Sequence, residues 1–170
     1  MKVIIVGGVA GGASCAARLR RLDEKAEILM VERGPYVSYA NCGLPYHVGG
    51  VIQKESDLLV ANEQTFRGQF NIDVRTRTEM VGISPKEKKV QIRNLATGEE
   101  YTEKYDKLVL SPGAVSVRPP LPGIDLPGIF HVRTVPDARA IVEWVEKGNP
   151  FISGMNKYSG FQTLRPKAKA

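Results

Sequence analysis

Cysteine is scarce in this chain of 170 residues, with only Cys15 and Cys42 present. Two thiols are too few for the disulfide framework of a small secreted domain. Histidine is equally scarce. His47 and His131 do not share a metal-ligand spacing with the cysteines, so no zinc site is expected. Long apolar runs are missing as well: no stretch approaches the roughly 20 residues that cross a bilayer. The N-terminal "MKVIIVGG" has one lysine and four apolar residues before its glycines, shorter than the apolar region of a secretory signal. A cytoplasmic location without a membrane partner is expected. Acidic residues are missing from one region. From residue 148 onward the chain carries Lys157, Arg165, Lys167 and Lys169 and no acid, which supplies four of the six net positive charges. The body is therefore nearly balanced, and no nucleic-acid partner is expected. The basic end suits a solvated or disordered tail, with polyanion binding as the alternative.

What is present is an ordinary globular composition, 42% hydrophobic, enough for one domain-sized core. "KVIIV" is continuous, apolar and β-branched, the pattern of a buried parallel strand. It runs into "GGVAGGASCAARLRRL", where glycines open a helix with a small apolar face of Ala13, Ala16, Ala17 and Leu19. Cys15 belongs to that face as a packing residue, while Arg18, Arg20 and Arg21 are left for solvent or ligand. "AEILMVER" then forms a second strand ending in Glu32, completing a βαβ unit of about 30 residues. Backbone N–H groups at such a helix start can cradle a pyrophosphate if no side chain blocks the approach. Gly7 and Gly12 hold the first and third glycine positions of a GxGxxG pattern; Val9 stands at the second, and Gly8 and Gly11 keep the loop open. Glu32 lies 25 residues beyond Gly7 at a strand end, where a carboxylate can accept ribose hydroxyl hydrogen bonds. Dinucleotide binding is expected, against the alternative of a plain strand-to-helix turn.

From residue 70 to 110, short alternating stretches separated by "SPKEKK" and "ATGEE" turns read as a three-stranded antiparallel meander. "DKLVLSPGA" returns to a buried parallel strand and ends in a tight turn from Ser111 to Ala114. The proline-rich "VRPPLPGIDLPG" is an irregular surface crossing, and "TVPDARAIVEWVEKG" a helix with Asp137 in its first turn and Gly148 at its stop. One further stretch, "SYANCGLPYHVGG" at residues 38–50, sets Cys42 before a short helix expected to open at Gly43 to Pro45. A thiol at the positive end of a helix is favoured as thiolate, the nucleophilic form.

Taken in order, "VGGVAGGASCAARLRR", "SYANCGLPY" and "YDKLVLSPGA" resemble the N-terminal part of the FAD-dependent pyridine-nucleotide disulfide oxidoreductases, from Met1 to about Lys147. Within them the chain is most similar to the reductases of coenzyme A disulfide and of coenzyme A persulfide or polysulfide. The implied fold is α/β: a three-layer, Rossmann-like FAD-binding half-domain with a parallel sheet and an antiparallel β-meander, incomplete relative to the family. Residues 1–147 are then the N-terminal portion of the FAD-binding domain, and residues 148–170 a basic tail outside the family pattern, as a truncation or frameshift would leave.

The resemblance also implies site roles. Gly7, Gly8, Val9, Ala10, Gly11 and Gly12 take the FAD pyrophosphate, Glu32 the adenosine ribose with Arg33 beside it, and Val81 the adenine side. Ser111, Pro112 and Gly113 take the flavin side, with Arg133 as a further cofactor residue. Cys42 falls on the family's single redox cysteine. No second cysteine lies near it, so its disulfide is completed by a small thiol, coenzyme A in the resembled enzymes. Ser14, Arg18 and Arg21 on the first helix, with Ser38 and Asn41 beside the thiol, contact that substrate; alone, the three helix residues read more readily as an exposed basic face, and the Cys42 motif reverses that preference. The implied cycle passes electrons from NADH or NADPH through FAD to a mixed disulfide of Cys42 and coenzyme A. The complete enzyme is expected to be a homodimer. One alternative is an NADH oxidase or peroxidase cycling through cysteine sulfenic acid; relatives of that kind place a histidine in the first glycine loop, where this chain has Ala10. The other is a flavin-binding fragment without catalysis. His47 and His131 are expected to be structural or exposed.

Overall fold

The computed structural model describes residues 1–149. The tail expected from residue 148 onward thus lies almost wholly outside the described residues. The described chain divides into two compact units, one of Met1–Tyr39 with Leu59–Ala114, the other of Ala40–Leu58 with the residues from Val115 onward.

The first unit is built on strand β1 (Lys2–Val6), helix α1 (Gly11–Leu22) and strand β2 (Glu27–Val31), the expected βαβ. β2 pairs parallel with β1, in register from Lys2↔Glu27 to Val6↔Val31. Helix α2 (Leu44–Val48) belongs to the second unit. Helix α3 (Glu63–Phe70) leads into strand β3 (Asp73–Arg75), and a meander of β4 (Thr78–Ser84), β5 (Lys89–Asn94) and β6 (Glu100–Lys104) precedes β7 (Lys107–Leu110). The parallel sheet runs β3-β2-β1-β7, and the meander forms its own antiparallel sheet, β4-β5-β6. Alternation along the central strands sorts their side chains into two cores. Val3, Ile5, Ile28, Met30 and Val74 face Ala13 and Ala16 of α1 and Phe66 of α3. Ile4, Leu29 and Val31 face Val90 and Ile92 of β5, flanked by Met80 and Tyr101. Strands buried on both faces explain the unbroken apolar runs, and helix, parallel sheet and meander make the three layers.

Three details differ from the sequence reading. Residues 73–75 join the parallel sheet beside β2, in register Leu29↔Asp73 to Val31↔Arg75, rather than opening the meander. β7 pairs with β1 as expected, but at the sheet's margin among the described residues, so its side chains are half-buried to exposed instead of buried. The stretch from Ser111 to Ala114 is irregular rather than a tight turn, with Gly113 at φ +71°. A charged network fastens the meander to the parallel sheet: Glu103 of β6 accepts from Lys2 of β1 at 2.8 Å and from Arg75 of β3 at 3.0 Å.

In the second unit a 3-10 turn at Asn41–Gly43 runs into α2, which packs against helix α4 (Val135–Glu146). Gly43, Leu44, His47, Leu58, Val135, Ala138 and Ile141 are buried there. Arg139 of α4 grips Glu55 through two bonds of 2.8 and 2.6 Å, a bidentate pair. The crossing from Val115 to Gly128 carries no strand or helix and is largely exposed, as expected. α4 opens on Thr134 with Asp137 closing a capping box, and Gly148 follows its end at φ +78°. Among the described residues no helix is long and apolar enough to cross a membrane.

Candidate functional site

The glycine loop sits between β1 and α1 because two positions tolerate no side chain. Gly7 stands at φ +92°, and a Cβ there would lie 2.0 Å from the Ser111 carbonyl oxygen. A Cβ on Gly12 would lie 1.7 Å from the Gly7 carbonyl oxygen. The Ser111 N–H donates to the Val6 carbonyl at 2.7 Å, which holds the end of β7 across the loop. Ala10 stands at the N-cap of α1 and offers no side-chain cap, and the helix has no acid in its first turn. The uncapped backbone N–H groups of a twelve-residue helix therefore face a concave, glycine-lined turn, an arrangement suited to a phosphate. Val9 and Ala10 fill the remaining loop positions, half-buried and exposed respectively.

Glu32 follows β2 at the rim of this loop. Its Oε2 accepts the Gly8 N–H and its Oε1 the Gly34 N–H, each at 2.7 Å. A carboxylate has about four acceptor positions, so two remain for ligand hydroxyls. Arg33 points away, exposed, to Glu79 at 3.4 Å. Val81 lies in the meander at a bulge, where the β4–β5 register shifts between Met80 and Gly82, and is exposed. Ser38 adopts φ +45°, and its N–H donates to the Gly8 carbonyl at 2.9 Å. Loop, Glu32, Ser38 and Ser111 are thus brought together within the first unit; Pro112 and Gly113 follow Ser111 in exposed backbone.

Ser14, Arg18 and Arg21, at helical spacing, form one exposed face of α1. Arg20 is not part of a ligand-facing set. Its guanidinium donates to the carbonyls of Phe70, Asn71, Asp23 and Glu24 at 2.6 to 3.2 Å, tying the end of α1 to that of α3. Cys15 is partly buried and packs against the helix-side core, as the small face predicts.

The second unit carries Cys42, exposed, in the 3-10 turn immediately before α2, with Pro45 in the first turn of that helix. α2 has only five residues, so its dipole is small. Asn41 precedes the thiol and accepts the Leu44 N–H through its carbonyl. His47 is buried, its Nδ1 2.8 Å from the Ile52 carbonyl, and is structural. His131 is exposed, 3.5 Å from Asp137. Arg133 is half-buried, its N–H donating to Asp137 at 3.1 Å.

The family model for pyridine nucleotide-disulphide oxidoreductases matches residues 1–149. The chain belongs to that family. Among its relatives, the coenzyme A disulfide reductase of Staphylococcus haemolyticus is 39% identical over 146 residues, covering 86% of this chain and 32% of that protein. Of solved structures, the reduced CoADR-RHD of Bacillus anthracis matches with a TM-score of 0.84 at 50% identity, over 86% of this chain and 27% of that one. The NAD-dependent persulfide reductase from A. fulgidus matches at 0.83 and 38% identity, over 87% and 28%. The chain therefore spans about a third of the length of the curated relatives it matches. As a pyridine nucleotide-disulphide oxidoreductase by family, it carries the α/β architecture of those structures. Two contributors to the loop escaped the sequence reading. Val37 packs where a Gly8 Cβ would stand, 2.7 Å from its Cγ1, and Gly34 donates to Glu32. The only sequence signal for either is the turn-forming "RGP" after the acid.

Proposed function

We propose that this chain supplies the N-terminal part of the FAD-binding domain, residues 1–147, and the redox thiol of an NAD(P)H-dependent reductase of coenzyme A disulfide or persulfide. The observation that carries the reading is the contrast between the two thiols. Cys42 is exposed at a turn, whereas Cys15 is packed against the helix-side core. A disulfide at Cys42 is then completed by an external small thiol, and the coenzyme A disulfide reductases among the relatives favour coenzyme A.

The residues present fit FAD. The glycine-lined, uncapped start of α1 suits its pyrophosphate through Gly7 to Gly12, and the two unused acceptor positions of Glu32 suit the adenosine ribose, with Arg33 alongside. Val81 is assigned to the adenine side, and Ser111, Pro112, Gly113 and Arg133 to the flavin side. FAD supplies the two electrons, drawn from NADH or NADPH, that return the thiol to its reduced state. The Cys42 thiolate attacks one sulfur of coenzyme A disulfide, forming a Cys42–coenzyme A mixed disulfide and releasing the other coenzyme A as thiolate. Arg18 and Arg21 offer charge to the substrate phosphates, with Ser14, Ser38 and Asn41 as hydrogen-bonding partners. The complete enzyme is a homodimer in this reading.

The test is Cys42→Ser in an enzyme of the relatives' full length carrying these residues. Coenzyme A disulfide reduction is expected to be abolished while flavin absorbance stays stoichiometric. Retained turnover would remove the thiol from the mechanism.

A further inference from the structure

The carboxylate of Glu32 is engaged by the chain itself, through the N–H groups of Gly8 and Gly34. Gly8 passes the connection on, since its carbonyl accepts the Ser38 N–H at 2.9 Å. Ser38 stands in the left-handed region, at φ +45°, a conformation that disfavours residues other than glycine and persists only when its surroundings hold it. Its carbonyl accepts the N–H groups of Val60 at 2.9 Å and Ala61 at 3.2 Å, and Tyr39 bridges Leu59 in antiparallel fashion. The chain leaves the first unit after Tyr39 and returns to it at Leu59. These bonds therefore close the stem of the excursion that bears Cys42. An unbroken series of hydrogen bonds runs from the Glu32 carboxylate through Gly8 and Ser38 to Val60 and Ala61.

We propose that Glu32 is a positioning residue that fixes both the glycine loop and the stem of the Cys42 excursion before any ligand arrives. Hydrogen bonds to an ionised carboxylate are shorter and stronger than those to neutral acceptors. Two N–H groups converge on this one, and only a group with two acceptor oxygens satisfies both. The Gly8 backbone is also wedged, because a Cβ there would lie 2.7 Å from Val37 Cγ1 and 3.2 Å from Glu32 Cβ. With the loop so placed, a change at Glu32 is felt at Ser38 through a single residue, Gly8. The consequence for the cofactor rests on the dinucleotide reading, but the positioning itself is a property of the free chain. It is tested without flavin, so that its failure and the failure of that reading are distinguished.

The experiment is residue-resolved amide hydrogen exchange on the 170-residue chain without flavin, as wild type and as Glu32→Gln. A glutamine has one acceptor oxygen, and its NH2 would meet the second N–H donor to donor. Protection at Gly8, Gly34 and Ser38 is expected in the wild type. In the variant, exchange at Ser38 and at Gly8 or Gly34 is expected to rise by about tenfold or more, while amides of the β1–β2 ladder are unchanged. A merely structural loss of stability raises exchange in loop and ladder alike, and that uniform pattern overturns the proposal, as does an unchanged variant. Should Glu32→Gln fail to fold, the wild type alone decides: exchange of Gly8 and Gly34 at unprotected rates overturns the proposal, and protection sustains it.

Discussion

Gly12 sets two effects of a single methyl group against each other. Alanine is favoured over glycine inside a helix by about 1 kcal/mol, yet its Cβ at this position would lie 1.7 Å from the Gly7 carbonyl oxygen. Backbone on backbone has no rotamer to yield, so the overlap wins: Gly12→Ala is expected to destabilise the chain by about 3 kcal/mol. Gly11→Ala is the control. Its Cβ would meet the Ser111 hydroxyl oxygen at 3.2 Å, and a side-chain oxygen can swing aside. A urea titration of both variants against the wild type checks the contrast, which disappears if Gly12→Ala unfolds at the wild-type midpoint. At this scale much was legible in the sequence, because a strand, four glycines and a small-residue helix leave few geometries open. The engagement of Glu32 by Gly8 and Gly34 was not. Its partners are backbone groups of a turn, and no residue type at positions 8 or 34 announces which carboxylate its N–H will find.

At the scale of elements, the sequence is most informative where one periodicity persists and least where two neighbours share it. β1 and α1 were legible because an apolar run gives way to a helical pattern at the glycines. β3 was not, because "NIDVRTRTEM" alternates throughout and nothing in the alternation marks where the parallel strand ends and the meander begins. β7 reads as buried from its apolar letters, but a strand at a sheet margin keeps one edge open whatever its composition. α4 was found with its first-turn acid, and the structure ranks the two members of its cap. Thr134 Oγ1 accepts the Asp137 N–H at a long 3.4 Å, whereas the Asp137 carboxylate accepts from the Thr134 N–H and hydroxyl at 2.8 Å each and from the Arg133 N–H at 3.1 Å. Asp137→Ala is therefore expected to cost about 2 kcal/mol and Thr134→Ala about 1 kcal/mol. Thermal melts of both variants check the order; a costlier threonine would mean that the hydroxyl, not the carboxylate, holds the helix start.

For the whole molecule, one charged network decides how the fold responds to pH. Lys2 of β1 contacts Glu103 at 2.8 Å and Glu27 at 2.9 Å. Arg75 of β3 contacts Glu103 and the Tyr101 hydroxyl at 3.0 Å and Asp73 at 2.9 Å. Burial pushes the Glu103 carboxyl up, but hydrogen bonds from Lys2 and Arg75 and their charges outweigh it and hold the group below its ordinary 4.5. Hydrogen bonds that Lys2 donates to Glu103 and Glu27 in turn raise it above its ordinary 10.5, against partial burial. For Arg75 too, burial opposes the charge, and bonds to Tyr101, Glu103 and Asp73 overcome it, so it stays cationic throughout. The signs follow from proton linkage. A depressed carboxylate contributes stability that is present above its unfolded value and lost as pH falls through the folded one; a raised lysine contributes stability that is present below its unfolded value and lost as pH rises through the folded one. The network is thus intact between the two ordinary values, 4.5 and 10.5. Removing Glu103 leaves Lys2 and Arg75 facing each other's charge across the seam between β1, β3 and β6, so Glu103→Gln should lower the melting temperature at neutral pH. Because the variant no longer has this carboxylate to protonate, its gap to the wild type should narrow as pH is taken down to about 3. Melting curves of both proteins over that range check it. A gap that stays constant into acid would show that the glutamine costs packing rather than charge, and that the meander is held to the parallel sheet by its apolar core alone.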